Sequence, residues 1–229
     1  MLFRKPRPST GITVTYGSVV ALNDVTADVR DGELTAVIGN GSAGKSTFLR
    51  CLAGLESPGS RPGRNTILVA GTRQLAPERT VAECLPGTDD PAWRERILAI
   101  AGLGGKLDRT AGSLGEFDRR SLAIARALCT RPGLLAVDLP GSAALFAMLA
   151  RYVRELGCTI VFAAREAAAA RPADRAILLD LGDQVGDLAR PTRRAVARRL
   201  DRASRTPSIS WMKGGHAGRQ PRKLLPVHI

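Results

Sequence analysis

No apolar run in this 229-residue sequence approaches the roughly 20 residues needed to cross a bilayer. The opening stretch, Met1 to Thr10, carries charge but no apolar segment behind it, so it does not read as a secretory signal. Cysteine is sparse: Cys51, Cys84, Cys129 and Cys158 form no close pair and no metal-ligand spacing. They read as buried or incidental thiols in a reducing compartment. Acidic residues are scarce where the charge is concentrated. From Asp187 onward two acids face 11 Lys+Arg, a net of +9 out of the total of +13. The body is therefore nearly neutral, and the charge belongs to the tail. That tail holds one Trp, Trp211, and no interleaved aromatics for base stacking, which argues against nucleic acid. A solvated tail, or contact with anionic lipid worth about 1 kcal/mol per basic residue, is the better reading. These absences predict a cytosolic chain that meets a membrane only through a partner or a surface patch.

What is present is an ordinary globular body. Apolar residues make up 44%, enough for a sizeable core in one domain with an appendage. Alternating segments at 12–16 and 19–29 predict antiparallel strands. A buried-type strand over 33–38 runs into a helix over 46–53, and 57–65, rich in Pro, Gly and Ser, predicts a loop. A further strand is expected at 67–70 and helices at 93–101 and 119–130. Continuous apolar runs at 134–137, 158–163 and 176–179 read as parallel strands, the last closed by a turn at Leu181-Gly182-Asp183. Strand and helix alternate, so the class is α/β. We divide the chain into a domain over 1–188 and a basic tail over 189–229, broken by Pro191, Pro207, Pro221 and Pro226. A short helix is expected near 192–203, with no periodic apolar face tying the tail to the core.

Residues 39–47 read Gly39-Asn40-Gly41-Ser42-Ala43-Gly44-Lys45-Ser46-Thr47, a full P-loop. Glycine lets successive backbone N–H groups turn inward and cradle phosphate oxygens at the positive end of the next helix. Lys45 reaches the β- and γ-phosphates, and the Ser46 hydroxyl ligates magnesium. A bare Gly-rich turn would not need the apolar strand before it or the amphipathic helix after it, and both are here. A P-loop also needs an acid at the end of a neighbouring strand to hold the magnesium hydration shell. Asp138, following the apolar Leu134–Val137, supplies one.

With these landmarks in order, residues 12–187 resemble the ATP-binding subunit of ABC transporters. The resemblance implies a P-loop NTPase of ABC type: a parallel-centred core sheet with helices, a small antiparallel β subdomain and a helical subdomain, here shortened between the P-loop and Asp138. It implies that Tyr16 stacks on adenine and that Gln74, ahead of Thr80-Val81-Ala82-Glu83, touches magnesium and signals to a permease. ATP and Mg2+ are the implied ligands. The implied partners are a membrane permease and a second ATP-binding subunit, identical or not, with the chain peripheral on the inner face of the cell membrane.

The departures from the family pattern concern the chemical step. Where the family carries Leu-Ser-Gly-Gly-Gln, this chain has Leu114-Gly115-Glu116-Phe117-Asp118. The glutamate that polarises the attacking water is Leu139. The Ser-Ala-Leu-Asp that follows reads Ser142-Ala143-Ala144-Leu145. The switch histidine is Arg165, and the only histidines, His216 and His228, lie in the tail. No residue is therefore assigned as catalytic. Hydrolysis is expected to be very weak, with both composite sites of a homodimer defective. Two readings remain open: an energy-coupling subunit that works poorly alone, or a non-hydrolysing regulatory or structural ATP-binding module.

Overall fold

The computed structural model describes residues 11–26, 28–56, 65–87 and 89–205. The loop expected over 57–65 and the tail beyond Arg205 lie almost wholly outside them. In chain order the elements are β1 (Ile12–Tyr16), β2 (Val19–Val25), β3 (Leu34–Ile38), α1 (Lys45–Leu52), β4 (Thr66–Val69), α2 (Val81–Cys84) and α3 (Pro91–Ala101). There follow α4 (Glu116–Cys129), β5 (Leu134–Val137), α5 (Ala143–Leu156), β6 (Ile160–Ala164), β7 (Arg175–Asp180), β8 (Asp183–Ala189) and α6 (Arg193–Arg205). The strands form one sheet in the order β1-β2-β8-β7-β3-β6-β5-β4.

Strands β7, β3, β6, β5 and β4 run parallel to their neighbours in that row; β8 joins β7 antiparallel, β2 joins β8 parallel, and β1 joins β2 antiparallel. Every residue of β3, β5 and β6 is buried. Helices cover both faces of these strands, which is why the segments read as unbroken apolar runs rather than alternating ones. On one face α1 packs Phe48 and Leu49 against Val37, Val161 and Ile177. On the other, α3, α4 and α5 pack Ile97, Leu122, Leu149 and Tyr152 against Ala36, Ile38 and Phe162. Helix α5 places Leu145, Met148, Leu149, Tyr152 and Val153 on one buried face at three- and four-residue spacing. It starts under the Ser142 cap and stops at Gly157, whose φ of 68° ends the helix.

Three local differences from expectation have visible causes. The strand expected over 19–29 ends at Val25, because Asp24 takes φ 51° and the Thr26 N–H turns to Gln184 Oε1 at 2.9 Å. The turn at 181–183 leads into β8, antiparallel to β7, which its mixed, half-exposed sequence did not reveal. Helix α4 starts at Glu116 rather than near 119, so Glu116, Phe117 and Asp118 form its first turn.

The helix expected near 192–203 is α6, and it departs from expectation in its packing. Val196 is fully buried in the main core cluster, with Leu200 packed beside it. A single buried Val and its neighbour leave too faint a period to read among six arginines. We expect Val196→Ala to cost about 1.5–3 kcal/mol, from lost burial plus a residual cavity. That corresponds to about 3–12 °C in thermal midpoint for a domain of this size. A melt unchanged within a degree would mean that α6 does not dock on the sheet.

Candidate functional site

The carboxyl ends of β3, β6 and β5 stand side by side, since β6 pairs with both of the others. In open α/β sheets this edge is where ligands bind. The P-loop leaves β3 here. Gly39 is buried, and a methyl group on it would sit 2.2 Å from the Leu179 carbonyl oxygen, so the chain can turn off the strand only with no side chain present. The Ala43 N–H donates to the Asn40 carbonyl at 3.2 Å, and Gly44, at φ 93°, starts α1 without a side-chain cap. Left-handed backbone of this kind favours glycine. The first-turn N–H groups of α1 are thereby left for an external acceptor.

Lys45 is the only basic residue among the described ones to be buried. Its ammonium donates to the Gly39 carbonyl at 2.8 Å and to that of Asn40 at 2.5 Å. Burial lowers its pKa most, the charge of Arg165 lowers it further, and Asp138 raises it. Lys45, Asp138 and Arg165, far apart in sequence, thus lie near enough for the charges of the other two to act on the lysine. Asp138 is fixed through its backbone, whose N–H donates to the Val69 carbonyl at 2.8 Å, and its side chain is half-buried. Asn40, Gly41, Ser42 and Ser46 are exposed, Thr47 is half-buried and Ala43 is buried beneath the loop. A magnesium ion fits this donor set: the Ser46 hydroxyl and the Asp138 carboxylate are hard oxygen ligands that need a phosphate to complete the sphere.

Tyr16 lies on β1 beside α1 and is 48% exposed, which leaves it accessible for stacking. Partial burial first, and a hydrogen bond to Glu56 next, raise its hydroxyl above the usual tyrosine range, while a hydrogen bond with Thr47 lowers it. Glu56 is also held by Arg50 at 2.7 Å. The sequence carried no signal for Glu56, because its contact with Tyr16 exists only once α1 lies against β1. Gln74 is joined to the P-loop by no bond among the described residues. It is exposed in the turn after β4, and its one described bond is its carbonyl accepting from Arg126 at 2.8 Å. The nearby Thr80 and Glu83 cap α2 reciprocally, the Thr80 N–H donating to Glu83 Oε2 at 2.7 Å. The Thr-x-x-Glu spacing of Thr80 and Glu83 is the sequence mark of such a capping box.

The positions where the sequence departs from the ABC pattern have mostly become packing. Leu139 is 6% exposed and lies in the core cluster with Leu145, Leu149 and Phe162. Ser142 Oγ accepts from the Leu145 N–H at 3.3 Å, capping α5, and Leu145 is buried beneath it. In the first turn of α4, Glu116 pairs with Arg120, and Asp118 with Lys106 at 2.7 Å. Phe117 projects with 39% of its surface exposed. Arg165 alone among these replacements remains a polar group at the site edge.

Residues 22–142 match the family model described as ABC transporter. The phosphonates import ATP-binding protein PhnC 1 of Natronomonas pharaonis is 37% identical over 157 residues, 57% of this chain and 67% of the relative. The aliphatic sulfonates import ATP-binding protein SsuB 1 of Rhizobium johnstonii is 32% identical over 209 residues, 80% of this chain and 76% of the relative. Among solved structures, an ATP-binding cassette of an ABC transporter in its ADP conformation superposes with a TM-score of 0.69 at 21% identity, covering 85% of this chain and 94% of the other. A bacterial ABC transporter cassette solved as a dimer gives 0.64 at 21% identity, over 81% and 99%. The P-loop geometry, the sheet order and these likenesses agree: the chain belongs to the ABC transporter family.

Proposed function

We propose that this chain is the ATP-binding subunit of an import-type ABC transporter, holding Mg-ATP against the P-loop and transmitting its binding to a membrane permease. The observation that carries the reading is the meeting of Lys45, the P-loop and Asp138 at the carboxyl ends of β3 and β5. The loop N–H groups, Lys45 and Thr47 take the phosphates, Ser46 and Asp138 hold the metal, and Tyr16 stacks on the base. When bound, magnesium would supply positive charge against the phosphates, held by the Ser46 hydroxyl and the Asp138 carboxylate. Relatives named for phosphonate, aliphatic sulfonate and methionine import support the transport role. The permease, and a second cassette of the same or another sequence, are the proposed partners, with the chain peripheral on the inner membrane face. Gln74 belongs to this proposal by family position alone.

Calorimetry tests the reading. Lys45→Ala should weaken Mg-ATP binding by about 1.5–3 kcal/mol, the worth of a charged hydrogen bond. Equal affinity in the two proteins would end the P-loop reading. A second reading, a regulatory or structural ATP-binding module without turnover, is favoured by Leu139 and Leu145 lying in the core where polar groups would serve hydrolysis. Helix α6 adds a basic surface: Arg194, Arg198, Arg202 and Arg205 fall opposite Val196 and Leu200 at helical spacing. An anionic lipid surface is its proposed partner. Charge reversal of Arg194 and Arg198 should reduce co-sedimentation with anionic vesicles but not with neutral ones, and equal pelleting would remove the lipid role.

A further inference from the structure

Strand β1 stands at one end of the sheet, and α1 lies against it. Where they meet, the Tyr16 hydroxyl is shared between Thr47, in the first turn of α1, and Glu56, just beyond the end of that helix. A carboxylate can only accept, so the phenol donates to Glu56 and leaves its lone pairs for the Thr47 hydroxyl. Glu56 is itself held. Arg50 Nε donates to its Oε1 at 2.7 Å, and the acid side chain is 16% exposed against 51% for the arginine. The backbone brings it there: Gly54 takes φ 70°, and the Leu55 N–H turns back to the Arg50 carbonyl at 2.9 Å. Thr47 and Arg50, three residues apart, share one side of α1. Glu56, folded back after the helix, thus joins that side to the ring on β1.

Resting on the nucleotide-binding reading above, we propose that Glu56 is a positioning residue of the base subsite. It holds the Tyr16 ring where a purine stacks, so affinity for the base depends on it and affinity for the phosphates does not. Thr47 cannot do this alone. It is the last residue of the P-loop, and its hydroxyl has one proton to give. Once a phosphate oxygen takes that proton, the phenol keeps a single anchor, the Glu56 carboxylate. Tyr16 is half-exposed at the end of the sheet, where little packing restrains its rotamers. A ring already fixed in place spares the cost of ordering it when the base arrives. The Arg50 guanidinium offsets the charge of Glu56, so an acid is tolerated at the far end of a helix whose start faces a polyanion.

The test is titration calorimetry of the full chain with Mg-ATP and with Mg-tripolyphosphate, which carries the phosphates without the base. The chains are wild type, Glu56→Ala, Glu56→Gln, Tyr16→Phe, Glu56→Ala combined with Tyr16→Phe, and Lys45→Ala. Glu56→Ala should lose about 2- to 12-fold in ATP affinity, the net worth of one hydrogen bond, and keep its tripolyphosphate affinity. Glu56→Gln, whose amide oxygen still accepts from the phenol, should restore most of the loss. Adding Glu56→Ala to Tyr16→Phe should cost nothing more, since the bond is already gone. A residue that only supported the fold would weaken both ligands alike, with or without the Tyr16 hydroxyl. Equal weakening of both ligands, no loss with ATP, a further loss in the Tyr16→Phe background, or Glu56→Gln as weak as Glu56→Ala refutes the proposal. Lys45→Ala separates the two ideas: unchanged binding of both ligands there removes the nucleotide site itself. Loss there with unaltered ATP affinity in Glu56→Ala removes the positioning role alone.

Discussion

Supplied with Mg-ATP, the purified chain is expected to release phosphate barely above background. Loss of a positioned general base or water-orienting group costs typically ~10²–10⁴ in rate. Here the residue after Asp138 is Leu139, which offers no oxygen and whose side chain lies in the core. Arg165 supplies charge but no proton transfer. The first turn of α4 presents Glu116, Phe117 and Asp118, with the two acids engaged by Arg120 and Lys106 of the same chain. Phosphoryl transfer depends on positioning and electrostatics almost alone, so these losses compound. Restoring one group should not suffice, because residues acting as a unit are strongly non-additive. Leu139→Glu has a further obstacle, since at 6% exposure the new carboxylate enters a packed apolar site. Burial disfavours its ionised form, so the variant should melt lower and gain little activity. Adding Arg165→His and rebuilding Leu-Ser-Gly-Gly-Gln over 114–118 should recover measurable turnover. Steady phosphate release by the unmodified chain, abolished by Lys45→Ala, would refute this account. The exposed Glu166 would then be the first residue to mutate as the base.

Gly44→Ala is expected to disable both the fold of the loop and its ligand. Gly44 sits at φ 93°, in left-handed backbone that an L side chain adopts at a cost of roughly 1–2 kcal/mol. Its added methyl would lie 2.5 Å from the Ala21 carbonyl oxygen and 2.7 Å from Leu22 Cδ2. Ala21 is β2 backbone, which cannot swing aside as a flexible side chain would, and such overpacking adds about 1–3 kcal/mol. Together these give roughly 2–5 kcal/mol of lost stability. In a domain of this size that is about 4–20 °C in thermal midpoint. Any relief must come from moving the start of α1, which displaces Lys45 and Ser46, so ATP affinity should fall with stability. Gly41→Ala is the control: a methyl there meets nothing within 4 Å, and φ is not in the left-handed range. Its melt should stay close to that of wild type. Equal melting of the Gly44→Ala and Gly41→Ala chains would show that the β2 contact does not constrain the loop.

By itself the sequence determined the α/β class, the P-loop over 39–47, the aspartate at the end of the Leu134–Val137 strand and the location of the charge. Each of these is written in contiguous residues, as a strand's unbroken apolar run or a glycine pattern whose chemistry is backbone chemistry. Only the tertiary structure decided what depends on where side chains point after distant segments pack. Strand β6 entering between β3 and β5 sets Arg165 beside Lys45 and Asp138. The packing of α5 turns Leu139 and Leu145 inward, so that two positions missing polar groups became core. The approach of α1 to β1 joins Glu56 to Tyr16. Strand β8 and the docking of α6 through Val196 were illegible for the same reason. Their apolar content is slight, and the surfaces that give it value belong to β7 and its neighbours, assembled from other parts of the chain.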